Sequence, residues 1–242
     1  MNVQVISSVN EARTEDLQHK TVIVIDVLRA TSTMLTALAN GCRDITPVET
    51  VIQAKQLQEN GVLLGGERNC KKIPGFDFGN SPLEYTESEV NGKSLVITTT
   101  NGTRAIQKAG KASRILIGSL LNARACAERV VSTCGEAVIL CSGTNDAFAL
   151  EDGLCAGLIA QELIDHMPSS KQVTLNDLGL SMLYAYRDVS DRLPETLLSC
   201  VNGKRLTRLG FRDDVLHCAR VNVLPFAPAV QDGKIAASAA CL

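Results

Sequence analysis

Short runs dense in valine and isoleucine recur along this chain, separated by stretches with helical spacing, and that alternation constrains the fold more than any other feature. The runs are VQVI, TVIVIDV, DITPV, VLLGG, SLVITT, RILIG and EAVILC, with VNVLPFA near the end. They lack the strict apolar–polar alternation of a half-exposed strand, so they read as strands covered on both faces. Between them lie STMLTALANG, TVIQAKQLQENG, TRAIQKAG, LNARACAERVVS and LEDGLCAGLIAQELIDHM. Several of these stop at glycine, as helices often do at the first residue past the cap. The expectation is an α/β fold with a largely parallel or mixed sheet and helices on both faces. Past about residue 170 the pattern turns mostly helical (NDLGLSMLYAYRDVS, LPETLLSCVNGKRLTRLG, FRDDVLHCARVN), giving a helix-rich C-terminal third.

At 242 residues the chain can bury a substantial core without staples. No Pro/Ser/Gly-rich linker divides it, so it reads as one unit, residues 1–242. One internal echo, VIVIDVLRATSTML against AVILCSGTNDAFAL, allows two related lobes at about 1–118 and 119–242. The ordinary chemistry of turns between strand and helix explains the echo equally well. A formal charge of −2 argues against a general nucleic-acid binder, which needs a basic surface. Nine scattered cysteines with no CxxC pair suggest small core residues in a reducing compartment rather than a zinc site. The opening residues lack the pattern of a leader, and no run approaches the ~18 apolar residues of a membrane span, so a cytoplasmic protein without a membrane partner is expected.

In open α/β sheets ligands bind beyond the carboxyl ends of the strands, so the residues after each apolar run carry the functional information. One strand is followed by Asp26, Arg29, Thr31 and Ser32. Another ends in Glu67 and Arg68, and a third in TTTNGTRA, which spans Thr98–Ala105. After VILC come SGTNDAF and then Glu151 and Asp152 at the head of a long helix. Hydroxyls and N–H groups at a helix start hold phosphate-like oxygens, and arginine adds forked hydrogen bonds to them. Carboxylates would repel such an anion unless a hard cation such as Mg²⁺ stood between them. Acids beside arginines therefore point to a metal ion and an anion in one site.

Structural readings stand beside each of these. Thr31 or Ser32 serves equally as a helix cap, and Glu151 and Asp152 stand where acids complement a helix N-terminus. Adjacent helical residues project about 100° apart, so those two acids need not serve alike. An ionised Asp26 at the end of an apolar strand needs a partner, which Arg29 could be. The stretch GGERNCKKIPGFDFGNSPLEY reads as a long loop folded over something, with Asn80 and Ser81 as donors to a ligand or as a plain turn.

Familiar phosphate-handling templates are absent. There is no GxxxxGK[ST] and no GxGxxG after a strand. No cysteine has an arginine six positions on, and His19, His166 and His217 stand apart from arginine clusters. The first strand end reads Asp26-Val27-Leu28-Arg29-Ala30, without the second acid of an aspartate-nucleophile phosphatase.

Taken together, VIDVLRATST, GGERN, GFDFGNSPLEY, TTTNGTRAI, CSGTNDAFALEDGLCAG and DDVLHCARVN resemble the 2-phosphosulfolactate phosphatase family, over roughly residues 1–230. The resemblance implies a Mg²⁺-dependent phosphoric monoester hydrolase, linked to coenzyme M biosynthesis, that removes phosphate from 2-phospho-3-sulfolactate or a related 2-phospho-hydroxy acid. It implies Asp26, Glu67, Glu151 and Asp152 as metal or catalytic acids, with Asp26, Arg29 and Arg68 at the reaction centre. Ser32, Asn80, Ser81, Thr100, Asn101, Gly102, Thr103 and Arg104 would hold the small anionic substrate. Either Asp26 orients a water or a covalent aspartyl phosphate forms. A lyase or mutase on phosphorylated hydroxy acids, and a non-catalytic anion-binding protein, remain open, and a homodimer is expected from the frequency of that state among oligomers.

Overall fold

The computed structural model describes residues 1–133 and 135–237, so Cys134 and Cys241 lie outside the described residues. Eleven strands form one sheet: β1 Asn2–Ile6, β2 Thr21–Ile25, β3 Asp44–Pro47, β4 Val62–Arg68, β5 Lys71–Lys72, β6 Ser94–Thr98, β7 Arg114–Gly118, β8 Ala137–Cys141, β9 Thr174–Leu175, β10 Ala229–Gln231 and β11 Lys234–Ala236. Their order is β5-β4-β6-β3-β11-β10-β7-β2-β8-β1-β9. The seven strands from β1 to β8 other than β5 match the apolar runs of the sequence.

The sheet consists of two parallel blocks. One is β4-β6-β3, with β5 folded back antiparallel on β4. The other is β7-β2-β8-β1-β9. They do not divide the chain at residue 118, because β1 and β2 pair with β8. Between them stands the hairpin β10/β11, antiparallel to β7 on one side (Ala229 opposite Leu116) and to β3 on the other (Ile235 opposite Ile45). Its two-residue turn is Asp232-Gly233, both at positive φ (49° and 76°), the conformation that an Asp-Gly hairpin turn requires. An ion pair between Lys234 and Asp44, 3.4 Å apart, ties the hairpin to β3.

Strand β2 shows why the runs are apolar throughout. Successive side chains of a strand point to opposite faces. Val22 and Val24 join the core formed with helix Ala30–Ala39, whereas Ile23 and Ile25 join the core formed with helices Ala123–Thr133 and Leu150–His166. Both faces are covered, so every position of β2 is buried. The C-terminal third is helical as expected, with Asp177–Val189, Leu193–Ser199, Val201–Arg208 and Arg212–Cys218 packed on the second face.

VNVLPFA is not a strand. Pro225 within the stretch and Pro228 just after it each remove a backbone donor. It runs as a strap instead, giving N–H groups to the carbonyls of Leu120 and Leu121 and accepting from Ile117 through the Pro228 carbonyl. The stretch 65–85, expected as one long loop, begins as the end of β4 and includes β5, and the remainder packs back on β4: Asp77 accepts from the Leu64 N–H at 2.8 Å, and the buried Tyr85 hydroxyl donates to the Gly79 carbonyl. No helix among the described residues is long and apolar enough to cross a membrane.

Candidate active site

The carboxyl ends of β2, β4, β6 and β8 open onto one pocket. Asp26 and Arg29 line it from the β2 turn, Glu67 and Cys70 from the end of β4, and Asn80 from the loop beyond. Thr99, Thr100 and Asn101 follow β6, and Thr144 and Asn145 follow β8. Helix Val201–Arg208 closes it with Asn202 and Arg205.

The β2 turn is held by its own hydroxyls. Thr31 Oγ1 accepts from the Asp26 N–H and donates to the Asp26 carbonyl. Ser32 donates to the Val27 carbonyl at 2.8 Å and pairs with the Ser119 hydroxyl at 2.7 Å, while Thr33 donates to the Asn80 carbonyl. These groups are buried and committed, so the row of hydroxyls fixes the turn and Ser32 does not line the pocket. The turn delivers the Asp26 carboxyl to the head of helix Ala30–Ala39, where Oδ1 accepts from the Ala30 N–H at 3.2 Å. Gly102, head of helix Gly102–Lys108, abuts the same group. A Cβ at that position would stand 2.6 Å from Ala30 Cβ and 2.8 Å from Asp26 Oδ2.

Burial pushes the Asp26 carboxyl up to about 7. The Ala30 and Gly102 N–H groups pull it down, and the charges of Glu67 and Glu151 push it further up. Glu67 is positioned by three donors: the Thr100 N–H and hydroxyl on Oε1 and the Cys70 N–H on Oε2. Asp26 and Glu67 thus share one pocket, where like charges oppose each other unless a cation intervenes.

The other two acids stand behind it. Asp152, only 2% exposed, accepts from the Val27 N–H at 2.9 Å on Oδ1 and from the Gly143 N–H at 3.1 Å on Oδ2. Burial, then the charges of Asp26 and Glu151, hold its carboxyl well above the ordinary range. Glu151 accepts from the Asn202 amide at 2.6 Å. Neither lines the pocket, and neither accepts from the first N–H groups of its own helix: Asp152 holds the turns after β2 and β8, and Glu151 holds Asn202.

The arginines separate in the same way. Arg29 lies in the pocket wall, ion-paired through Nη1 with the buried Asp214 and 4.3 Å above the Phe211 ring. Ser81 donates to the other oxygen of Asp214 at 2.8 Å, so it reaches the site through Arg29's partner. Arg68 points away: it donates to the carbonyls of Glu67 and Glu49 and to the Thr98 hydroxyl. Arg104 is exposed and paired with Asp146. The Thr103 hydroxyl closes the turn onto Thr99. Asn80, Thr100 and Asn101 do line the pocket, as the strand-end reading expects.

Asn202, Arg205 and Asp214 escape that reading because helices of the C-terminal third bring them in, not strand ends. The DDVLHCARVN motif held the one signal, since it contains Asp214.

Among the described residues no three His, Cys, Asp or Glu side chains form a ready metal cage. The donor set nonetheless suits a hard cation that shares its coordination with water and substrate, because Asp26 and Glu67 are joined by Asn80 Oδ1, a buried acceptor without a donor.

The 2-phosphosulpholactate phosphatase family model matches residues 6–233. A protein of Clostridium acetobutylicum named probable 2-phosphosulfolactate phosphatase is 41% identical over 97% of this chain and 100% of its own length. One of the same name from Symbiobacterium thermophilum is 42% identical over 94% and 98%, and one from Caldanaerobacter subterraneus subsp. tengcongensis is 37% identical over 98% and 99%. Family motifs spread over nearly the whole chain, and a pocket that gathers several of them, agree: this protein belongs to the 2-phosphosulfolactate phosphatase family.

Proposed function

We propose that this protein hydrolyses 2-phospho-3-sulfolactate to 3-sulfolactate and inorganic phosphate. The observation that carries the reading is the meeting of Asp26 and Glu67 with Arg29 and the Thr99–Asn101 turn in one pocket, in a chain of this family. Those two acids alone would repel a substrate bearing phosphate, sulfonate and carboxylate, which is why Mg²⁺ is part of the proposal. Asp26, Glu67 and Asn80 Oδ1 would hold it, and when bound it supplies a Lewis acid that neutralises phosphoryl charge.

The chain's own groups do the rest. Arg29, fixed by Asp214 and Phe211, has further N–H groups to give a phosphoryl oxygen. Asn101 adds an amide at the edge of the pocket. Asp26, held by the Ala30 and Gly102 N–H groups, would orient a water for attack on phosphorus. The same reading places the enzyme in the cytoplasm, in the supply of coenzyme M, and as a homodimer; seven described cysteines standing as free thiols support a reducing compartment.

The test is phosphate release from 2-phospho-3-sulfolactate by the purified protein. Turnover is expected with MgCl₂ and should stop in excess EDTA. No release from this substrate overturns the reading, and undiminished release in EDTA removes the metal from it.

A further inference from the structure

The pocket has a second cation whose charge the protein leaves unanswered. Arg29 is neutralised by Asp214. Arg205 lines the same pocket and is partly buried, and its guanidinium makes no hydrogen bond or ion pair with any described residue. It faces the Cys70 side, where its charge and that of Arg29 act on the same thiol as the charges of Glu67 and Asp26. A partly buried guanidinium without a partner is costly unless an anion arrives to meet it.

Its placement is rigid. Three residues before it, the Asn202 amide donates to Glu151 and to the Thr144 hydroxyl, both at 2.6 Å, which ties the start of the helix to the β8 turn and to the helix that follows it. At Gly203 a Cβ would sit 1.8 Å from the Leu197 carbonyl oxygen, so this helix is seated directly on its predecessor. The helix is therefore built to hold Arg205 at the pocket.

We propose that Arg205 binds the sulfonate of the substrate and is the residue by which the site distinguishes phosphosulfolactate from phosphorylated hydroxy acids that lack that group. The assignment rests on the phosphatase reading above. Three chemical facts select the sulfonate among the substrate's anions. The phosphoryl group must meet Asp26, which lies in the β2 turn, whereas Arg205 enters from the helical third of the chain. A sulfonate is a very weak base that competes poorly for a hard cation, but its tetrahedral oxygens accept forked hydrogen bonds from a guanidinium. Its sulfur also lies two bonds from C2, where the carboxylate carbon lies one, so it reaches farther from the oxygen whose bond to phosphorus breaks.

The experiment compares 2-phospho-3-sulfolactate with 2-phospholactate, which carries a methyl group in place of the sulfomethyl arm. In Arg205→Met, kcat/KM should fall about 100-fold on the first and no more than a few-fold on the second, with Arg205→Lys between. An unchanged melting temperature would show that the variants fold. Equal losses on both substrates, or no loss on either, overturn the assignment. Should wild type release phosphate from neither compound, the phosphatase reading falls separately. Calorimetric titration with sulfolactate then decides about Arg205: weaker binding to Arg205→Met upholds the assignment, while equal affinities or no binding to wild type overturn it.

Discussion

The turns that leave β2 and β8 begin alike and end differently. Ile25 and Cys141 are paired in adjacent parallel strands, and two residues further on the N–H groups of Val27 and Gly143 both go to the Asp152 carboxylate. From there the β2 turn enters its helix at once, with Thr31 and Ser32 bonded back to the strand end. The β8 turn instead runs through Asn145 and Asp146 in left-handed conformation, and its helix starts only at Leu150. The first turn puts a carboxylate in the pocket, and the second puts a hydroxyl and an amide there. Equivalent register secures equivalent anchoring, but the acid that anchors and the acid that faces the ligand are different residues. What separates them is the pocket: Asp152 accepts from the backbone of both turns behind it, whereas Asp26 stands in its lining.

The sharpest test of that division is Asp26→Asn. Phosphate release should fall at least ~10³-fold with the fold intact. The same variant carries a pH signature. The Asp26 carboxyl titrates at 3.8 ordinarily and about 7 in the fold, so its protonated form favours folding; the contribution is full below about 4 and is lost as pH rises through 7. In EDTA, denaturant unfolding of wild type should show this group alone costing about 2–3 kcal/mol between pH 5 and 8, a slope that Asp26→Asn removes.

Asp152→Ala attacks the anchor shared by both turns. Two buried N–H groups lose their acceptor, at a cost of about 2–4 kcal/mol in urea unfolding. The comparison breaks if this variant unfolds like wild type. The smallest effect belongs to Ser32→Ala, which should cost about 1 kcal/mol and leave kcat/KM within about 3-fold, because its hydroxyl serves the Val27 carbonyl and Ser119. A loss like that of Asp26→Asn would return Ser32 to the substrate's contacts.

Sheet and helices were legible because burial on two faces forces uninterrupted Val/Ile runs, as in β2. The hairpin was missed although its signal is present: three-residue strands are too short for periodicity, yet the Asp232-Gly233 pair marks the turn between Val230 and Ile235. Asp26 and Glu67 were legible as acids ending apolar strands. Arg68 and Arg104 have the same sequence position but turn elsewhere, because side-chain direction depends on partners that the sequence does not order. Arg205 and Asp214 were out of reach of a strand-end rule, since tertiary packing alone brings their helices to the pocket.

The hairpin between the blocks has a consequence for biogenesis. Of the described strands, β10 and β11 are the last to leave the ribosome, so a nascent chain carries the edges of β3 and β7 bare until both have emerged. Naked edges are templates for pairing with other chains, and until the hairpin forms no strand joins the block that carries Asp26 to the block that carries Glu67. Premature termination before Ala229 would thus yield two half-sheets prone to associate with strangers rather than a slightly shortened enzyme.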